Sequence, residues 1–138
     1  MFDHCLYFNT TALARQLERK WTQAFQPFGL TPPQGFLLRA VLDRPGMTLR
    51  ELAETLVISR PTATRSLDGL AAKGLVERVD SDEDGRDVLI HPTAEAQAIR
   101  AGLNKASGKV TQQLKGVLGE DTFVATVEQV RNVRTSLD

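Results

Sequence analysis

Cysteine is almost missing from this chain: Cys5 is the single one among 138 residues. One thiol excludes an intramolecular disulfide framework and any zinc site built on cysteines. Histidine is nearly as scarce, and His4 and His91 lie far apart in sequence, which removes a multi-histidine metal site. No metal or other cofactor is expected. Long apolar runs are missing as well, and so is the basic start and apolar middle of a signal peptide. The expected compartment is therefore the cytoplasm, with no membrane partner. Net charge is also lacking, with 17 basic against 17 acidic residues. A nucleic-acid binder usually carries a basic excess, so any such role has to rest on local placement.

What is present is clear punctuation. Residues 6 to 28 read as one helix, with Leu6, Leu13, Leu17, Trp21, Ala24 and Phe28 near one face. "PFGL" breaks it, and "TPPQ" restarts a helix with Thr31 as cap, Pro32 at the first position and Gln34 reaching back. "DRPG" ends that helix, and "TLRE", from Thr48 to Glu51, opens a short one as a second capping box. After the link "VIS", Ser59 caps a further short helix that stops at Gly74. "LVERV" and "DVLI" then alternate apolar and polar around a polar, glycine-containing loop, which predicts a hairpin. "HPT" leads into a long helix to Leu118, spanning about 39 Å at 1.5 Å per residue. Gly119 interrupts it before a last helix carrying Phe123, Val127, Val130 and Leu137.

Two short helices joined by three residues have the size of a helix-turn-helix. The pair alone fits many surface helices; a hairpin directly behind it makes a winged helix. In that arrangement the second helix enters the major groove. With the buried face of this helix centred on Leu67, Arg65 and Gly69 are expected to point directly away, flanked by Pro61, Thr62 and Ser66. Such a face of small and hydrogen-bonding side chains around one arginine lets the backbone approach DNA. Ser59 and Arg60 at its start offer free amides and a dipole end to phosphate.

The stretches "LTPPQGFLLRAV", "MTLRELAETLVISRPTATRSLDGLAAKGLVER" and "DEDGRDVLIHPTAEA" resemble the MarR (multiple antibiotic resistance regulator) family of bacterial transcription factors. The resemblance runs from about Leu30 to Glu95. It implies a mainly α fold with a small β-hairpin, in which the terminal helices form a homodimer interface. Residues 1–138 would be a single domain, with a winged-helix lobe at 31–91 and a dimerisation region at 1–30 and 92–138. It further implies a repressor of a pseudo-palindromic double-stranded operator, released by a small phenolic or lipophilic effector or by oxidation. By position, Arg50, Ser59, Arg60, Thr62, Thr64, Arg65 and Ser66 fall to the DNA-binding helices, Arg86 to the wing tip, and Asp84 to the carboxylate that orients it. Two features depart from the family pattern. Ser66 and Gly69 stand where relatives often carry larger residues, and the wing "DSDEDGRD" holds five carboxylates against one arginine.

Three further readings bear on function. Long terminal helices with apolar stripes have little to bury against in so small a lobe, which independently favours pairing of two chains. For the sensor, Phe8, Trp21 and Phe36, with Phe25 and Phe28, supply aromatics to an effector pocket between the dimer helices and the lobe. The rival is Cys5, because one branch of the family senses organic hydroperoxides with a first-helix cysteine. That position holds Tyr7 here, and Cys5 lies about 200° around the helix from it. An enzyme is not expected, since a Cys5–His4 pair lacks an orienting third group. A helical adaptor that never touches DNA is the remaining alternative, supported by the zero net charge.

Overall fold

A computed structural model describes residues 1–81 and 87–137. In chain order its elements are α1 (Leu6–Phe25), a 3-10 turn (Gln26–Phe28), α2 (Pro32–Asp43), β1 (Met47–Thr48), α3 (Leu49–Leu56) and α4 (Arg60–Ala72). After these come β2 (Val76–Asp80), β3 (Val88–Pro92), α5 (Ala94–Leu118) and α6 (Glu120–Ser136). None of the described helices is long and apolar enough to cross a membrane.

Side-chain caps set most of these boundaries. Thr31 and Gln34 close both arms of a capping box, with Gln34 N–H on Thr31 Oγ1 at 3.3 Å and Thr31 N–H on Gln34 Oε1 at 3.1 Å. Thr48 caps α3 through the Glu51 amide, but its hydroxyl lies 3.1 Å from the Glu51 carboxylate. The return arm of that second box is therefore not the backbone bond that the sequence pattern predicts. Ser59 and Thr93 cap α4 and α5 through the amides of Thr62 and Ala96. The first helix ends earlier than expected, at Phe25, and tightens into a 3-10 turn. Pro27 has no N–H to continue the α-helical ladder, and Gly29 at φ +69° reverses the chain.

The hairpin gains a third strand. β3 pairs antiparallel with β2 on one side, Arg78 opposite Ile90, and with the two-residue β1 on the other, Met47 opposite Ile90. Two residues are too few for alternation to show in sequence. β3 also extends through His91 and Pro92, so α5 starts at Ala94, behind its Thr93 cap.

One core joins these elements. Phe25, Leu37, Leu38, Val41, Leu52, Leu67, Leu70, Ile90 and Leu103 have almost no exposed surface. Gly35 permits the closest approach: a Cβ there would sit 2.3 Å from the Phe25 ring. The outer elements behave differently. α1 buries Phe25 alone, α6 buries none of its residues, and the far half of α5 exposes Val117 and Leu118.

Candidate nucleic-acid interface

α4 lies across α2 and α3 with Ala63, Ser66, Leu67 and Leu70 buried, a stripe spaced three, one and three residues. Its opposite side carries Arg60, Pro61, Arg65, Asp68 and Ala72, all exposed. Two expectations are corrected here. Ser66, expected on the flank of the open face, is only 8 % exposed and belongs to the packing stripe. Gly69 does not face outward either, because a Cβ on it would meet the Gln34 amide nitrogen at 2.4 Å. Both small residues make room for α2 and the core, which accounts for their size without reference to a groove.

The beginning of α4 is tied by its own hydroxyls. The Ser59 hydroxyl donates to Thr62 Oγ1 at 2.9 Å, and Arg65 Nη2 donates to the same oxygen at 3.3 Å. Thr62 thereby holds Arg65 of the exposed face over the first turn. Thr64 is half-buried. Arg50 on α3 and Arg60 on α4 border a shallow groove with Glu54, Val57, Ile58 and Ser59. Arg50 lies 3.9 Å from Glu54 at i,i+4, an exposed pair weak enough to open.

One residue of this face carries a pairing that sequence reasoning missed. Asp68 would present a bare carboxylate beside Arg65, but Arg78 on β2 reaches it at 2.5 Å. The charge is thus neutralised from the wing, and the pair ties α4 to the sheet. The ten-residue separation across a glycine turn gave no periodic signal. The wing continues to Ser81, whose amide bonds the Asp87 carbonyl at 2.9 Å. Arg86 and Asp84 lie outside the described residues.

The residues expected to form an effector pocket separate into two places. Phe8 packs tilted against Phe2 near the start of α1, with ring centroids 5.5 Å apart, and joins no other aromatic among the described residues. Phe25 is core. Trp21 and Phe36 do meet, 6.2 Å apart. Beside them is a hydrogen-bonded knot of three helices: Ser107 Oγ on α5 accepts from Trp21 Nε1 on α1 at 3.0 Å and from Arg39 Nη1 on α2 at 3.1 Å. Arg39 also donates to Asn104 Oδ1 at 2.8 Å and lies 5.2 Å over the Phe36 ring. Its described hydrogen-bond partners are neutral oxygens, and burial holds its guanidinium below the ordinary arginine pKa. An open cavity of about 360 Å³ adjoins it, bordered by Phe36, Arg39, Ala40, Asp43, Arg100 and Asn104. Cys5 is exposed and caps α1, with the Phe8 amide 3.5 Å from Sγ.

Known proteins match this architecture. A MarR family model matches residues 28–87, from the end of the 3-10 turn to just before β3. The organic hydroperoxide resistance transcriptional regulator of Bacillus subtilis (strain 168) is 28% identical over 143 residues, covering 93% of this chain and 96% of that protein. Among solved structures, the transcriptional repressor CouR bound to a 23-mer DNA duplex superposes with a TM-score of 0.84 at 26% identity, covering 96% of this chain and 94% of that one. The reduced form of MarR from E. coli superposes at 0.74 with 28% identity over 96% of each chain. A family model on the lobe and a regulator that aligns across lobe and flanking helices alike point the same way: residues 28–87 match the MarR family, and the chain as a whole is similar to winged-helix transcriptional regulators of that family.

Proposed function

We propose that the chain is a homodimeric repressor that binds a pseudo-palindromic operator through α4 and leaves it when a small molecule binds between the terminal helices and the lobe. The observation that carries this reading is the exposed face of α4, where Arg65 is held by Thr62 and the only carboxylate, Asp68, is neutralised by Arg78. In the lobe from Thr48 to His91 there are six basic and nine acidic residues. Affinity must come from placement of a few arginines: Arg65 toward base edges, Arg50 and Arg60 toward phosphates, with Ser59, Thr62 and Thr64 positioning them. Arg86 would follow from the wing, oriented by Asp84. CouR, solved on a duplex, is a related protein that does bind DNA.

Dimerisation is supported by the apolar surface left on the flanking helices. Val124, Val127, Val130 and Val133 are exposed along α6 and Leu137 at its C-cap, as are Leu6, Tyr7 and Leu13 on α1. Residues 1–30 and 92–138 would supply this interface, and 31–91 the DNA-binding lobe. Two lobes related by a two-fold axis read half-sites about one helical turn apart.

For the effector, the cavity beside Arg39 offers an aromatic wall in Phe36 and a guanidinium without a described carboxylate partner, so a ring bearing an anionic group fits it best. An effector shifts DNA affinity only by its differential affinity for the two arrangements of the dimer. Gel retardation with duplexes selected from a random library, repeated with phenolic carboxylates, tests both halves of the reading. Retardation that no such compound reverses would leave the repressor and reject the pocket. A second reading, release by thiol oxidation, draws on the name of the B. subtilis relative and on the exposed Cys5 thiol at the start of α1. Cys5→Ser separates the two: under the effector reading it releases DNA as wild type does, and under the redox reading it no longer responds to cumene hydroperoxide.

A further inference from the structure

The last turn of α4 is tied to α2 and to the 3-10 turn by one side-chain cluster. Lys73 Nζ donates to the Gly29 carbonyl and, at 3.0 Å, to Gln34 Oε1. That same Gln34 oxygen accepts the Thr31 amide in the α2 capping box. The other end of the Gln34 amide lies over Gly69, where a methyl group would come within 2.4 Å of Nε2. One glutamine therefore serves the start of α2, the end of α4 and, through Lys73, the junction at which α1 hands over to the lobe.

We propose that Gln34, Lys73 and Gly69 form a latch that sets the position of α4 relative to α1, making them positioning residues for operator recognition. The proposal rests on the DNA-binding reading above. Its physical content is a division of labour among cations. Lys73 is exposed and is the C-cap of α4, where a charge census would count it toward phosphate. Its ammonium is instead committed to the Gly29 carbonyl and the Gln34 amide oxygen. α1 leads into the proposed dimer interface, so the latch connects each half-site reader to the element that fixes the spacing between the two.

Gly69 makes the latch testable without weakening the helix. Alanine at 69 has to push the Gln34 amide aside, since that amide is the flexible end of a side chain, and Lys73 then loses one of its two partners. Alanine is intrinsically better than glycine inside a helix, so a merely structural account expects a protein at least as stable and unchanged in binding. The experiment uses a duplex selected by the wild-type protein from a random library, alongside the same duplex with its half-sites one base pair further apart. The latch predicts that Gly69→Ala keeps or raises the unfolding temperature, loses about fivefold in affinity for the selected duplex, and discriminates less between the two spacings. In a Gln34→Ala background, Gly69→Ala should then change nothing further, because its effect acts through Gln34. Lys73→Met should lower affinity with an unchanged salt dependence.

Wild-type affinity and spacing preference in Gly69→Ala would overturn the proposal. So would an equal loss in both backgrounds, which means that the methyl group meets DNA directly. A salt slope smaller by about one in Lys73→Met would make Lys73 a phosphate contact. A wild-type protein that selects no duplex at all would instead remove the DNA-binding reading, and the latch with it.

Discussion

At position 57 the backbone adopts φ 56° and ψ 50°, the left-handed region, and the residue there is a valine. A β-branched side chain is among the poorest choices for that conformation, which costs an L-residue about 1–2 kcal/mol. Val57 is also 57 % exposed, so little burial offsets the strain. Replacing it with asparagine, which tolerates this region, should raise stability by about 1 kcal/mol, read as a later denaturation midpoint. Gly35 works in the opposite direction. A methyl group would enter the Phe25 ring, and Gly35→Ala should destabilise by about 1–3 kcal/mol as overpacking. Residue-level reading of the sequence went wrong where chemistry and spacing disagreed. Ser66 looks like a surface residue by type, yet it lies three residues after Ala63 and four before Leu70, which is the buried stripe. Gly69 looks like clearance for DNA, whereas the side chain it clears is Gln34. Nothing in the spacing of Arg39 and Ser107, 68 residues apart, could announce their hydrogen bond.

Among the elements, those with a cap at the front and a glycine or proline behind were legible from sequence alone. Ser59 and Gly74 bracket α4, and Thr31 opens α2 as expected. β1 was not legible, because a two-residue strand exists only through its partner β3. The knot of Trp21, Arg39 and Ser107 joins α1, α2 and α5, and its removal tests how far the lobe depends on the arm. Ser107→Ala leaves the indole N–H and one guanidinium N–H without their shared acceptor. It should cost about 1–3 kcal/mol in stability, measured by denaturant titration. For α4, Arg65→Ala should lower affinity and relax preference at one base position, since a good bidentate contact discriminates by about 1–3 kcal/mol. Equal weakening on every duplex in a competition assay would make Arg65 a phosphate contact instead.

For the whole molecule, the zero net charge and the MarR resemblance point in different directions until placement is considered. Acidic residues crowd the wing sequence, while Arg50, Arg60 and Arg65 stand exposed on the two short helices. Binding through so few cations should be less salt-dependent than that of a strongly basic regulator. The exposed valines of α6 make the dimer the other molecular-scale commitment: Val127→Asp with Val130→Asp should give a monomer that no longer retards the duplex. Sedimentation of the wild-type protein with a selected pseudo-palindromic duplex tests the central claim most directly. The account predicts a dimer at micromolar concentration without DNA and two protomers on each duplex with it. A monomer under both conditions, or a dimer that sediments apart from every duplex, would contradict it.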